Sequence, residues 1–167
     1  TTRHPKDDII KKAVAEAENF EKIQFSILYE TNNRLQFYGY NLDDENTREQ
    51  LREDFNYLEE EYFQKDNYLR IDGRPVVFLY IAQVFSGDVE AGFEAVFDTL
   101  DERPYILADL PFGSPPDIYP VARVADAVTT YNVYEDRPDI EAVFHDQYEE
   151  GNKVMQLGAT ESDLGFV

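Results

Sequence analysis

A chain of 167 residues with 35 acidic and 15 basic side chains has a formal net charge of −20, yet 43 % of it is hydrophobic, including 12 Phe and 12 Tyr. A disordered acidic chain lacks such aromatics, so the composition describes a folded domain with a real core, and the missing basic patch argues against nucleic acid and anionic membranes as partners. The absence of Cys removes disulfides, thiolate metal sites and Cys nucleophiles, no run reaches the ~20 apolar residues of a membrane-spanning helix, and no signal peptide is visible.

In chain order, Asp7 to Glu21 reads as a helix with Ile10, Val14 and Ala17 on one face. Ile23 to Tyr29 is a β-rich strand, and Thr31 to Asn46 is polar enough for a long loop. Glu45 to Phe63 is a second helix, with Leu51, Phe55, Leu58 and Tyr62 at helical spacing. An arm from Asn67 leads to Asp72-Gly73, a dipeptide that accepts left-handed backbone. Val76 to Tyr80 is then a continuous apolar run, the mark of a strand covered on both faces, within a strand from Arg74 to Ala82. Asp88 to Leu100 is a third helix and Pro104 to Asp109 a third strand. The stiff loop Pro111 to Pro116 leads to a short helix, Ile118 to Val124, and a fourth strand, Ala127 to Asn132. Pro138 to Glu150 reads as the last helix and Lys153 to Leu157 as a fifth strand.

Regular alternation of helix and strand implies parallel strands joined by crossover helices. An open doubly wound sheet and a (β/α)8 barrel both fit. The barrel is favoured, because no glycine-rich phosphate loop follows the first strand. The expectation is an α/β fold, a partial (β/α)8 TIM barrel with about five parallel strands alternating with helices. Residues 1–167 are then one α/β domain or the central fragment of a barrel, since a complete barrel takes ~250 residues. The chain opens on Thr1-Thr2 without a Met, which fits a piece of a longer protein.

In either architecture, chemistry sits at the C-terminal ends of parallel strands. Those ends carry Tyr29-Glu30-Thr31, Tyr80-Ile-Ala-Gln83, Asp109 and Thr130-Tyr131-Asn132. Carboxylates, amides and phenols in a ring suit a sugar, whose hydroxyls hydrogen-bond to Asp, Glu and Asn while its C–H face packs on aromatics. Glu30, Asp109, Tyr131 and Asn132 are therefore candidate substrate contacts. Each has a plainer alternative: Glu30 as one exposed acid among many, Asp109 as a loop-fixing carboxylate, Tyr131 and Asn132 as packing and turn residues. Tyr29 also fits a core position. No metal-ligand spacing is visible and no cofactor is expected; Ser26 sits mid-strand, outside any nucleophile elbow.

The segment Tyr62 to Tyr80, with Asn67-Tyr-Leu-Arg-Ile-Asp-Gly-Arg-Pro75 at its centre, resembles glycoside hydrolase family 99, which holds endo-α-mannosidases and proteins associated with surface-polysaccharide synthesis. Ile27-Leu-Tyr-Glu-Thr31 resembles that family's strand ending in Tyr-Glu, and Ala125 to Asn132 a later strand that reaches its site with an aromatic residue. The resemblance implies a (β/α)8 barrel and metal-free endo cleavage of α-mannosidic linkages by two acids in a Trp- and His-containing context. This chain has no Trp, so no catalytic residue is carried over and the pair is expected outside it. Glu30 is carried over as a sugar-hydroxyl contact and Tyr131 as a site-lining aromatic.

The first expectation is thus a carbohydrate-active protein whose partner is a glycan or polysaccharide. A non-catalytic glycan-binding or polysaccharide-assembly protein is the alternative, and an α/β interaction domain the third. The acids are spread along the chain instead of gathered in one tail, which favours the hydrated surface of a halophile's protein, in its cytoplasm, over one basic partner. A barrel fragment alone would leave sheet edges and apolar faces uncovered and is expected to self-associate.

Overall fold

The computed structural model describes residues 5–16, 18–111, 118–130 and 165–166. Its sheet contains β1 (Ile27–Glu30), β2 (Arg70–Ile71), β3 (Arg74–Tyr80), β4 (Tyr105–Asp109), β5 (Ala127–Thr129) and β6 (Gly165–Phe166). Around them lie the helices α1 (Pro5–Glu16), α2 (Thr31–Leu35), α3 (Glu45–Leu58) and α4 (Val89–Phe97). Five strands run parallel in the order β1-β3-β4-β5-β6, and β2 folds back antiparallel on β3. Each parallel strand is added on the same side of the last, so the order never reverses. A doubly wound sheet reverses at its switch point, whereas unidirectional addition builds a barrel. The fold is therefore α/β, a partial (β/α)8 barrel.

The register sorts the side chains onto two faces. Tyr29, Leu79, Ala108 and Val128 share one face and pack in a single core with Leu51 and Phe55 of α3 and Phe93, Val96 and Phe97 of α4. Val76, Leu107 and Ala127 are buried on the opposite face, outside that core. Leu28 lies on this second face of β1, the first strand of the order, and remains 48 % exposed.

The arm before β3 stitches the N-terminal ends of the strands together. Leu69 N donates to Phe25 O (2.7 Å), and Asn67 Nδ2 donates to the carbonyls of Phe20 and Ile23. Buried Tyr68 bridges β1 and β3: its hydroxyl accepts from Ile27 N (3.2 Å) and donates to Val76 O (2.8 Å). Asp72 and Gly73 both have positive φ, 51° and 79°, which turns β2 tightly into β3 with the strand twist that a two-residue hairpin requires. Arg74 then forms a two-pronged pair with Asp126 (2.6 and 2.7 Å), whose Oδ2 also accepts from Ile106 N.

Several predicted boundaries differ, each for a tertiary reason. β1 begins at Ile27, after a short turn at Phe20–Lys22, and Ile23 is exposed. The predicted loop after β1 opens with α2, because Leu35 is fully buried and Arg34 reaches Asp54 on α3. Ile9 and Ile10 of α1 are exposed. That helix docks through polar groups instead, with Asp7 accepting from the hydroxyls of Tyr57 and Tyr62 and Lys11 pairing with Glu61 (2.8 Å). The second helix widens over Glu59–Phe63, which buries the adjacent rings of Tyr62 and Phe63 together. The short helix before β5 is a single tight turn, Pro120–Arg123. The fifth parallel strand is Gly165–Phe166; the predicted helix 138–150 and strand 153–157 lie outside the described residues.

Tyr68→Phe removes one hydroxyl that satisfies two backbone groups. It should cost about 1–3 kcal/mol, the penalty for leaving buried polar groups unpaired, seen as a lower urea midpoint at unchanged slope.

Candidate functional site

At the C-terminal ends of the strands the alternation places four polar side chains in one row. Glu30 pairs in register with Tyr80, and Asp109 with Thr129. Leu79 pairs with Ala108, so Tyr80 and Asp109 fall one step further along neighbouring strands. Tyr29, Leu79, Ala108 and Val128 point into the helix-covered core, and their successors in sequence therefore point to the other face. All four row residues are partly exposed. The row thus offers two carboxylates, a phenol and a hydroxyl on the face that lies inside a barrel.

Glu30 stands at the start of α2 and makes no side-chain cap to that helix. Among the described residues its carboxylate has no hydrogen bond or ion pair that would give it a structural task. Behind it, buried Asp54 accepts from the hydroxyl of Tyr29 (2.7 Å), from Gln50 Nε2 (2.9 Å) and from two nitrogens of Arg34. This network ties β1, α2 and α3 together and fixes the backbone from which Glu30 projects. The Arg34 charge is consumed by Asp54 and is not offered to a ligand.

Asp109 has a different role in the geometry. Its Oδ2 accepts from Ile81 N (3.1 Å), so the loop-fixing function is present. Ile81 itself is left-handed (φ 57°, ψ 44°), an unfavourable region for a β-branched residue that persists only where surrounding structure imposes it. The corner at Ile81 turns β3 sharply into the tight turn Ala82–Val84, with Val84 N donating back to Ile81 O (3.3 Å).

Tyr131 and Asn132, the other two candidates, lie outside the described residues. Tyr29 is core, with its hydroxyl on Asp54. Tyr80, named from sequence among the strand ends but not as a substrate contact, and Thr129, which was not named, join the row; the two-residue period of the strands ending in Glu30 and Asp109 carries that signal. Asp54 and the Ile81 corner left none: one is an acid within an acidic helix, the other an apolar residue inside the strand predicted to run to Ala82, which the structure ends at Tyr80. Among the described residues no group of three or more His, Cys, Asp or Glu is placed to hold a metal ion, and no helix is long and apolar enough to cross a membrane.

Comparison with protein-family models gives no match, and neither does comparison with curated proteins. A solved structure described as "Glycoside hydrolase-like protein" is similar over 96 % of this chain, with a TM-score of 0.67 and 22 % sequence identity. The chain spans 52 % of that protein's length. The likeness is one of fold: the strands and helices described above are arranged as in about half of that molecule.

Burial, reinforced by the Asp54 carboxylate, holds the Tyr29 hydroxyl neutral far above the ordinary phenol range. Burial likewise pushes Tyr68 up to about 12. Unfolded tyrosines ionise near 10, so their contribution to stability is complete below that pH and is lost as pH rises through the folded values. Urea midpoints should therefore fall from about pH 10 upward, and less steeply in Tyr29→Phe.

Proposed function

We propose that this chain is the central part of a glycoside hydrolase-like barrel that binds, and in the complete protein hydrolyses, an α-linked glycan of mannose type. The observation that carries the reading is the coincidence of two findings. Nearly the whole chain follows half of a protein described as glycoside hydrolase-like, and the strand ends of that half present Glu30, Tyr80, Asp109 and Thr129 as one polar row.

Carboxylate and hydroxyl acceptors over a partly apolar inner face suit a neutral ligand rich in O–H donors. Glu30 is the residue assigned to a sugar hydroxyl, and Asp109 serves the same rim. Tyr131 and Asn132 are proposed to extend it. Hydrolysis would follow two-carboxylate chemistry at an oxocarbenium-like centre, with the acid pair supplied outside this chain. A parent protein that lacks such a pair would be a glycan-binding protein of polysaccharide assembly using the same rim.

The test is calorimetric titration of the full chain with an α-linked manno-oligosaccharide and its β-linked counterpart. The α-linked ligand should bind, and Glu30→Gln should weaken it about tenfold, the worth of a hydrogen bond to a charged group. Equal heats from both would sink the α-linkage assignment, and heat from neither would sink the mannose assignment. The net charge of −20 implies salt adaptation: raising salt from ~0.1 to ~1 M shrinks the screening length from about 10 to 3 Å. The thermal midpoint should rise over that range; a flat or falling midpoint removes the halophilic reading.

A further inference from the structure

Two buried side-chain polar atoms among the described residues have no hydrogen-bond partner, Thr31 Oγ1 and Gln83 Oε1. Buried polar groups are nearly always paired, and an exception calls for an explanation. Thr31 directly follows β1 and Gln83 lies three residues beyond β3; the two strands are hydrogen-bonded neighbours. The left-handed Ile81 sits on the path from β3 to Gln83. Two buried unpaired polar atoms and one strained residue thus lie within three residues of the C-terminal ends of the neighbouring strands β1 and β3. The N-terminal ends of the same strands show the reverse, with Tyr68, Asn67, Arg74 and Asp126 satisfying one another and the backbone. Local rules fail together mainly where a protein keeps geometry for a ligand.

We propose that Thr31 and Gln83 form a hydroxyl-binding subsite at the β1–β3 corner of the rim, and that Asp109 is its positioning residue, acting through Ile81. The occupant is a neutral hydroxyl-bearing group. The amide oxygen of Gln83 accepts a hydrogen bond from the ligand O–H, and the Thr31 hydroxyl donates or accepts as the ligand requires. Neither residue carries charge, and the nearby rim acids Glu30 and Asp109 repel carboxylated or phosphorylated groups. Naming the occupant as a sugar hydroxyl rests on the glycan reading; the existence of the corner does not.

Thr31→Val and Gln83→Met keep shape and delete the unpaired atoms. Removing a polar group that lacks a partner relieves a penalty, so both variants should melt at or above the wild-type temperature in the free chain. The same variants should bind an α-linked manno-oligosaccharide roughly five- to tenfold more weakly, the loss of about one hydrogen bond each. Asp109→Leu should weaken binding too and raise the exchange rate of the Ile81 amide, whereas Asp109→Asn, which keeps an acceptor, should restore both. Lower melting temperatures for Thr31→Val and Gln83→Met would show that these atoms hold the fold, and would overturn the subsite. Unchanged binding in both variants would overturn it as well. A wild-type chain that ignores the manno-oligosaccharide, with both variants melting normally, rejects the glycan reading and withdraws the sugar as occupant, so the two failures read differently.

Discussion

A parallel sheet has to be covered on both faces, because its strands carry apolar side chains above and below. Everything else in this chain follows from how that requirement is met. On one face α3 and α4 supply Leu51, Phe55, Phe93, Val96 and Phe97, and the core closes around Tyr29, Leu79 and Ala108. The other face holds Val76, Leu107 and Ala127, and toward the C-terminal ends the apolar row gives way to Glu30, Tyr80, Asp109 and Thr129. Adding strands always on the same side gives this second face the character of a barrel interior, polar only at its mouth.

The two ends of the sheet are built to different standards. At the N-terminal ends, Tyr68 and Asp126 each bridge separate strands, and Arg74 closes the gap between β3 and the approach to β5. At the C-terminal ends, Ile81 is held in an unfavourable conformation by Asp109. The arm Asn67 to Tyr80 starts at the stable end and runs toward the rim. Most of it works as scaffolding.

The acids divide in the same way. Composition treats all 35 as equivalent, but several Asp residues beyond the Asp7 that docks α1 have specific tasks. Asp54 gathers Tyr29, Arg34 and Gln50, Asp109 holds a backbone corner, and Asp126 joins Arg74 to Ile106. Glu30 is set apart by standing in the rim row without a structural partner among the described residues. A surface dense in carboxylates therefore also contains the few that shape the rim.

The sequence by itself determined the alternation of elements, the parallel strands, the Asp72-Gly73 turn and the strand ends at Glu30 and Asp109. These depend on short-range periodicity and on turn chemistry, which neighbouring residues carry in full. Only the tertiary structure decided the unidirectional strand order, the fold-back of Leu35 and Arg34 that turned a predicted loop into α2, and the polar docking of α1. It alone placed Tyr80 and Thr129 beside the two rim acids, and it alone exposed the strain at Ile81 and the unpaired atoms of Thr31 and Gln83. These features join residues tens of positions apart, and a hydrogen bond such as that from Ile81 N to Asp109 leaves no periodic trace in either segment. Strand register brings such groups together, and register is set by packing against α3 and α4.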